Sequence, residues 1–217
     1  MATVPQRSMS HPIFARFFAS VAAPALTKAG VTRYRRRLVE GLSGEVIEIG
    51  AGNGLNFPHY PPEVSRVLAV EPEPRLRAAA GQAALDAPVP VDVVGGLAER
   101  IPAEDGRFDA AVACLTLCSV TDQAAALGEL YRVLRPGGRL CFFEHVRAGT
   151  PGMRRVQRVL DATIWPPLMG GCHTGRDTEA AIEAAGFRLE ELEEFDFPET
   201  KVPAPAVAHI LGTAIRP

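Results

Sequence analysis

From residue 45 onward, short β-branched runs alternate with stretches of helical spacing. Val46-Ile47-Glu48-Ile49 runs into a glycine cluster, and Val67-Leu68-Ala69-Val70 runs into Glu71. Val91–Val94, residues 110–117 and residues 140–143 are three further apolar runs. Between them, residues 74–85 are Ala-rich, and Leu127, Leu130, Tyr131 and Leu134 recur at i, i+3, i+4 and i+7. That spacing is the stripe of an amphipathic helix, which Pro136-Gly137-Gly138 stops. Thr174-x-x-Asp177 has the form of a capping box opening a helix that closes at Ala185-Gly186. Residues 189–195 and 207–214 then read as a final hairpin. The alternation predicts an α/β fold: a mostly parallel seven-stranded sheet, helices on both faces, and an antiparallel hairpin at the C-terminus. In such sheets ligands bind outside the carboxyl ends of the strands.

Composition adds a boundary. The chain has 217 residues, 47% of them apolar and 22% charged, which suits one folded body. Net charge is −2, but the first forty residues hold seven basic groups against Glu40 alone. We therefore expect two parts, an N-terminal helical cap over residues 1–44 and a ligand-binding domain over residues 45–217. In the cap, Ile13, Phe14, Phe17, Phe18 and Val21 would share a helix face beside Arg16, ahead of Arg33, Arg35, Arg36 and Arg37. Such a segment suits the edge of a greasy pocket, and it also suits weak peripheral contact with a membrane surface. The acidic remainder argues against nucleic acid as a partner. No apolar stretch is long enough to span a bilayer. Cys114, Cys118, Cys141 and Cys172 follow neither CxxC nor zinc-ribbon spacing, so neither disulfides nor a metal site are expected, and a reducing cytoplasm is the expected location.

The chemistry concentrates at Glu48-Ile49-Gly50-Ala51-Gly52-Asn53-Gly54. Glycines at a strand exit let backbone N–H groups approach a ligand that a Cβ would block. A dinucleotide fingerprint would need glycine where Leu55 stands, and Glu48 would repel a pyrophosphate. An acid two residues before the first glycine instead attracts a cationic, phosphate-free nucleoside. S-adenosylmethionine fits, with its sulfonium and α-amino group. Glu71, seventeen residues past Gly54, is placed to accept ribose hydroxyls.

With Gly96-Leu97-Ala98-Glu99 and Leu134-Arg135-Pro136-Gly137-Gly138 added, the chain resembles the class I S-adenosylmethionine-dependent methyltransferases, a Rossmann-like fold. Residues 52–61, Thr116-Leu117-Cys118-Ser119-Val120, Phe143-Glu144-His145-Val146 and Gly171-Cys172 with Arg176 are similar to thiol S-methyltransferases and their bacterial relatives. The resemblance implies that Gly50, Gly52 and Gly54 wrap the methionine part, with Glu48 near its amino end. It implies Glu71 on the ribose, and Leu97, Ala98 and Glu99 beside the adenine. Leu97 stands where the superfamily more often has Asp, so Glu99 is the substitute for the adenine amino contact. The implied activity is methyl transfer to a small lipophilic acceptor, with a thiol favoured. A lipid amine, a phenol or a quinone precursor is the alternative acceptor, and a non-catalytic S-adenosylmethionine-binding protein is the alternative class.

Catalytic groups are fewer. Transfer from a sulfonium needs mainly positioning and exclusion of water. A thiol already supplies some thiolate near neutral pH. Glu144 and His145 end the fifth strand, and His145 is the expected proton acceptor by residue type. Pro58, Pro61 and Pro62 should cut short any helix after the glycine loop.

Overall fold

The computed structural model describes residues 15–16, 18–199 and 203–217. The strands are β1 (Gly44–Ile49), β2 (Val64–Val70), β3 (Val91–Val94), β4 (Phe108–Cys114), β5 (Leu134–His145), β6 (Arg188–Asp196) and β7 (Ala208–Ile215). They form one sheet in the order β3-β2-β1-β4-β5-β7-β6. The first five strands run parallel, and β7 lies antiparallel between β5 and β6. This is the predicted mostly parallel sheet with its C-terminal hairpin.

Period-two alternation divides the core between the two faces. Ile47, Ile49, Ala111, Ala113 and Phe142 pack with Leu127 and Leu130 of α4 (Gln123–Val133) and Ile182 of α7 (Thr178–Ala184). Val46, Val67, Ala69, Val112 and Phe143 pack on the other face with Tyr34, Leu38 and Val39 of α2 (Thr32–Val39). Tyr34 stacks on Phe195 at 4.4 Å and on Phe143 at 5.4 Å, so α2 is bound to both the parallel sheet and the hairpin. The short α1 (Ala23–Lys28) precedes it, after a π-helical turn over Phe18–Ala22. Val21 is exposed; Ile13, Phe14 and Phe17 of the expected apolar face lie outside the described residues.

Local chemistry sets the ends of the elements. Glu73 caps α3 (Pro74–Ala83), accepting from the N–H groups of Arg75 and Leu76 at 2.7 and 2.8 Å, with Pro74 at the first helical position. As the prolines demand, only a single 3₁₀ turn, Phe57–His59, follows the glycine loop. Three expectations change. The fourth strand stops at Cys114, because Leu115 turns into the left-handed region with φ 55°. α4 ends at Val133, so Leu134 already belongs to β5. The capping box does not form: Asp177 makes an ion pair with Arg147, and Thr174 is held by the Asp161 carboxylate.

The helix α5 (Pro151–Asp161) buries a glutamine. Val156 and Val159 are exposed, whereas Gln157 is fully buried. Its amide nitrogen meets the carbonyls of Val146, Thr174 and Pro205, and its oxygen accepts from the N–H of Ala148 at 2.8 Å. One side chain therefore ties α5 to three other backbone segments through four groups. Gln157→Leu should cost about 2–4 kcal/mol, because several buried backbone groups lose their partners at once. In a chain of this size that lowers the melting midpoint by roughly 5–12 °C in scanning calorimetry. An unchanged midpoint would show that the four groups find other partners.

Candidate active site

The register of β1, β2 and β4 brings three strand exits side by side. Glu48 pairs with Ala69 on one flank and Val112 on the other, so Gly50, Glu71 and Thr116 converge on one cleft. Gly50 has φ 61°, and a Cβ there would collide with the Thr116 side chain. Thr116 binds the carbonyl of Ile49 through its hydroxyl at 3.2 Å, which ties the β4 exit to the glycine turn. Gly50 and Gly52 line the cleft. Gly54 does not; its φ of 81° packs the turn against Phe57 and Ala83.

Glu71 is buried at the floor of the cleft. One oxygen accepts from the N–H of Gly52 at 2.8 Å and the other from the N–H of Glu73 at 2.8 Å. Burial pushes the carboxyl up to about 7, against the pull of those two N–H groups. Leu97, Ala98 and Glu99 line the far wall with Leu76. Glu99 also accepts from the N–H groups of Thr121 and Asp122, which fixes the wall to the start of α4.

Glu48 sits deeper, with 1% of its surface exposed. Tyr60 donates its hydroxyl to Glu48 at 2.7 Å and Asn56 its amide N–H at 2.9 Å. Asn56 in turn accepts from Arg35 Nη1 at 2.8 Å, and the same nitrogen reaches Cys114 Sγ at 3.2 Å. Burial raises the Glu48 carboxyl to about 7, while Tyr60, Asn56 and the Arg35 charge oppose the shift. Arg35 lines the cleft, is buried, and keeps its Nε without a hydrogen-bonding partner. The sequence marks Arg35 only as one of the basic residues of the N-terminal cap. The signal was present: Arg35 lies on the buried face of α2 with Tyr34, Leu38 and Val39.

Glu144 and His145 stand outside the cleft wall. The Glu144 carboxylate is fully buried and accepts from the N–H groups of Thr116, Leu117 and Cys118 at 2.9, 2.9 and 3.1 Å. Burial raises its pKa, and the three donors lower it. Its geometry is that of an anchor for the loop after β4. His145 Nδ1 lies 3.6 Å from Cys118 Sγ and 3.7 Å from Cys172 Sγ, and its ring meets His209 at 4.4 Å. The two sulfurs are 3.8 Å apart. Because one thiol can donate to the other and His145 stands beside both, the pair loses its first proton more readily than an isolated buried thiol and holds its second more tightly. His209 is pushed down to about 3 by burial and by the His145 charge.

A family model described as a methyltransferase domain matches residues 47–142. Thiol S-methyltransferase TMT1B of Rattus norvegicus is 35% identical over 186 residues, covering 82% of this chain and 74% of that protein. A demethylmenaquinone methyltransferase of Thermus thermophilus is 30% identical over 174 residues, 77% of this chain and 76% of that protein. Among solved structures, an S-adenosylmethionine-dependent methyltransferase from Mesorhizobium loti superposes with a TM-score of 0.62 at 22% identity, covering 88% of this chain and 100% of that one. The chain belongs to the class I S-adenosylmethionine-dependent methyltransferases, in the family that holds the thiol S-methyltransferases. It is an enzyme whose methyl donor is S-adenosylmethionine. No described helix is long and apolar enough to cross a membrane.

Proposed function

We propose that the enzyme methylates the sulfur of a small lipophilic thiol. The observation that carries this reading is the 35% identity to a thiol S-methyltransferase over 82% of this chain. The cleft supports the donor's placement. A zwitterionic amino acid end needs one buried cation and one buried anion. Arg35, with its unpaired Nε, would take the carboxylate, and Glu48 would face the amino group. Gly50 and Gly52, lacking Cβ atoms, would let the donor lie close against the backbone of the turn, and Glu71 would receive the ribose hydroxyls. Leu76, Leu97 and Ala98 would flank the adenine, with Glu99 beside its amino group. Gly54 would act indirectly, by shaping the turn.

When bound, the donor would supply a methyl group on a sulfonium; an acceptor thiol that has given its proton to solvent would attack as thiolate, its electron pair forming the new C–S bond as the donor's breaks, with S-adenosylhomocysteine leaving as a neutral thioether. The chain's own part is to position and to exclude water. Glu144 would hold the loop Thr116–Cys118 at the acceptor end and transfer no proton. His145 Nδ1 faces Cys118 of that loop at 3.6 Å. Residues 1–44 would cap the cleft, since Arg35 reaches it from α2. Four unpaired thiols fit a reducing cytoplasm, and the basic first forty residues fit no more than weak membrane contact.

A panel of thiols, amines, phenols and quinone precursors with S-adenosylmethionine tests the reading by product mass. We expect thioethers, with other acceptors at least about a hundredfold slower, as a site built for one acceptor chemistry rejects another. A methylated ring carbon would move the assignment to the quinone-precursor reading, which the 30% identical demethylmenaquinone methyltransferase favours.

A further inference from the structure

Cys118, His145 and Cys172 come from three separate segments: the loop after β4, the end of β5, and the turn after α6 (Trp165–Leu168). Each is fixed by backbone contacts. Cys118 donates its N–H to Glu144, and its carbonyl accepts from the N–H of His173 at 2.8 Å. The Cys172 N–H binds the Met169 carbonyl, and Arg176 bridges the carbonyls of Leu117 and Val120 at 2.6 Å each. The two loops are therefore locked together, and the three side chains meet without any chain rearrangement.

Their spacing has a chemical meaning. Around a tetrahedral zinc ion, bonds of about 2.3 Å to sulfur and about 2.05 Å to nitrogen set the ligand edges at about 3.8 Å for S···S and about 3.6 Å for S···N. The observed edges are 3.8 Å between the sulfurs, and 3.6 and 3.7 Å from the sulfurs to Nδ1. Two thiolates neutralise a divalent cation, and both cysteines are buried. Among the described residues this is the cluster of three metal-ligating side chains whose donor atoms all lie within 4.8 Å of one another. Three protein ligands also leave one tetrahedral position for a substrate, as in catalytic zinc sites. Thr116 and Ser119 on one loop and Gly170 before the other line the cleft, so the cluster adjoins its acceptor end.

We infer that Cys118, His145 and Cys172 bind one thiophilic divalent cation, zinc, with the fourth position left for the sulfur of the acceptor. This second part rests on the thiol reading. A thiol bound there gives up its proton to solvent and attacks as thiolate. His145 is then a ligand through Nδ1 and not a general base.

Cobalt(II) is the probe. Reduced full-length protein, stripped of metal by a chelator, should bind one equivalent with thiolate-to-cobalt charge-transfer absorption and the visible bands of a four-coordinate ion. One equivalent of zinc should displace it. Cys118→Ala and Cys172→Ala should each remove the charge-transfer band or leave it at half intensity, while S-adenosylmethionine affinity stays within about threefold and reports an intact fold. A lipophilic thiol should shift the visible bands of the wild-type complex; an unmoved spectrum overturns the substrate position. Absence of a saturable band in the wild type, or full intensity in both variants, overturns the metal site. Thiol methylation by a protein that binds no cobalt would overturn this inference and leave the proposed function standing.

Discussion

Glu71→Ala should weaken S-adenosylmethionine binding by roughly 1.5–3 kcal/mol, or about ten- to a hundredfold, in titration calorimetry. Its carboxylate already accepts two backbone N–H groups and lines the cleft at the end of β2, so ribose hydroxyls would complete its shell. The same carboxylate makes binding depend on pH. In the free protein Glu71 titrates near 7, raised by burial. Hydroxyl donors and a nearby sulfonium favour the ionised form, so binding expels a proton below that value. Affinity should be full above pH 7 and fall about tenfold for each unit below it, per carboxylate that must ionise. Glu48, also near 7, adds a second proton. Stability of the free protein runs the opposite way: buried carboxyls with raised values favour the fold at low pH and lose that contribution as pH rises through about 7. Glu71→Gln should remove one proton from the binding stoichiometry measured in two buffers of different ionisation enthalpy. An unaltered stoichiometry would take Glu71 out of the site.

The sheet and half of the cleft were legible because they depend on local rules. Period-two runs ending in Gly50 or Glu71 mark strand exits, and parallel strands place such exits together whatever the distant sequence does. What stayed hidden depends on which distant side chains share a space. The Arg33–Arg37 run marks only a basic stretch of the cap, yet Arg35 turns inward because Tyr34, Leu38 and Val39 carry that side of α2 onto the sheet. Glu144 had the residue type of a catalytic acid, and only the fold shows its oxygens meeting three N–H groups. Cys118 and Cys172 are 54 residues apart, and no spacing rule joins them until the loop after β4 meets the turn after α6.

Arg35 carries the largest expected effect on donor recognition. It is a buried cation facing a buried anion through Asn56, and its Nε has no partner in the protein. Arg35→Ala removes the charge opposite Glu48 and the donor for a bound carboxylate together. The affinity for S-adenosylmethionine should fall by roughly 2–4 kcal/mol, about thirtyfold to nearly a thousandfold, the scale of breaking buried charge-assisted contacts. Arg35→Lys should recover only part of this, since an ammonium keeps the charge without the planar fork. The discriminating ligand is 5′-methylthioadenosine, which keeps the nucleoside and lacks the amino acid end. Its affinity should change less than about threefold in Arg35→Ala, because no carboxylate is there to lose, yet fall in Glu71→Ala as far as that of S-adenosylmethionine does. Equal losses of both ligands in Arg35→Ala would mean that Arg35 only supports the shape of the cleft, and the carboxylate would then have to bind elsewhere.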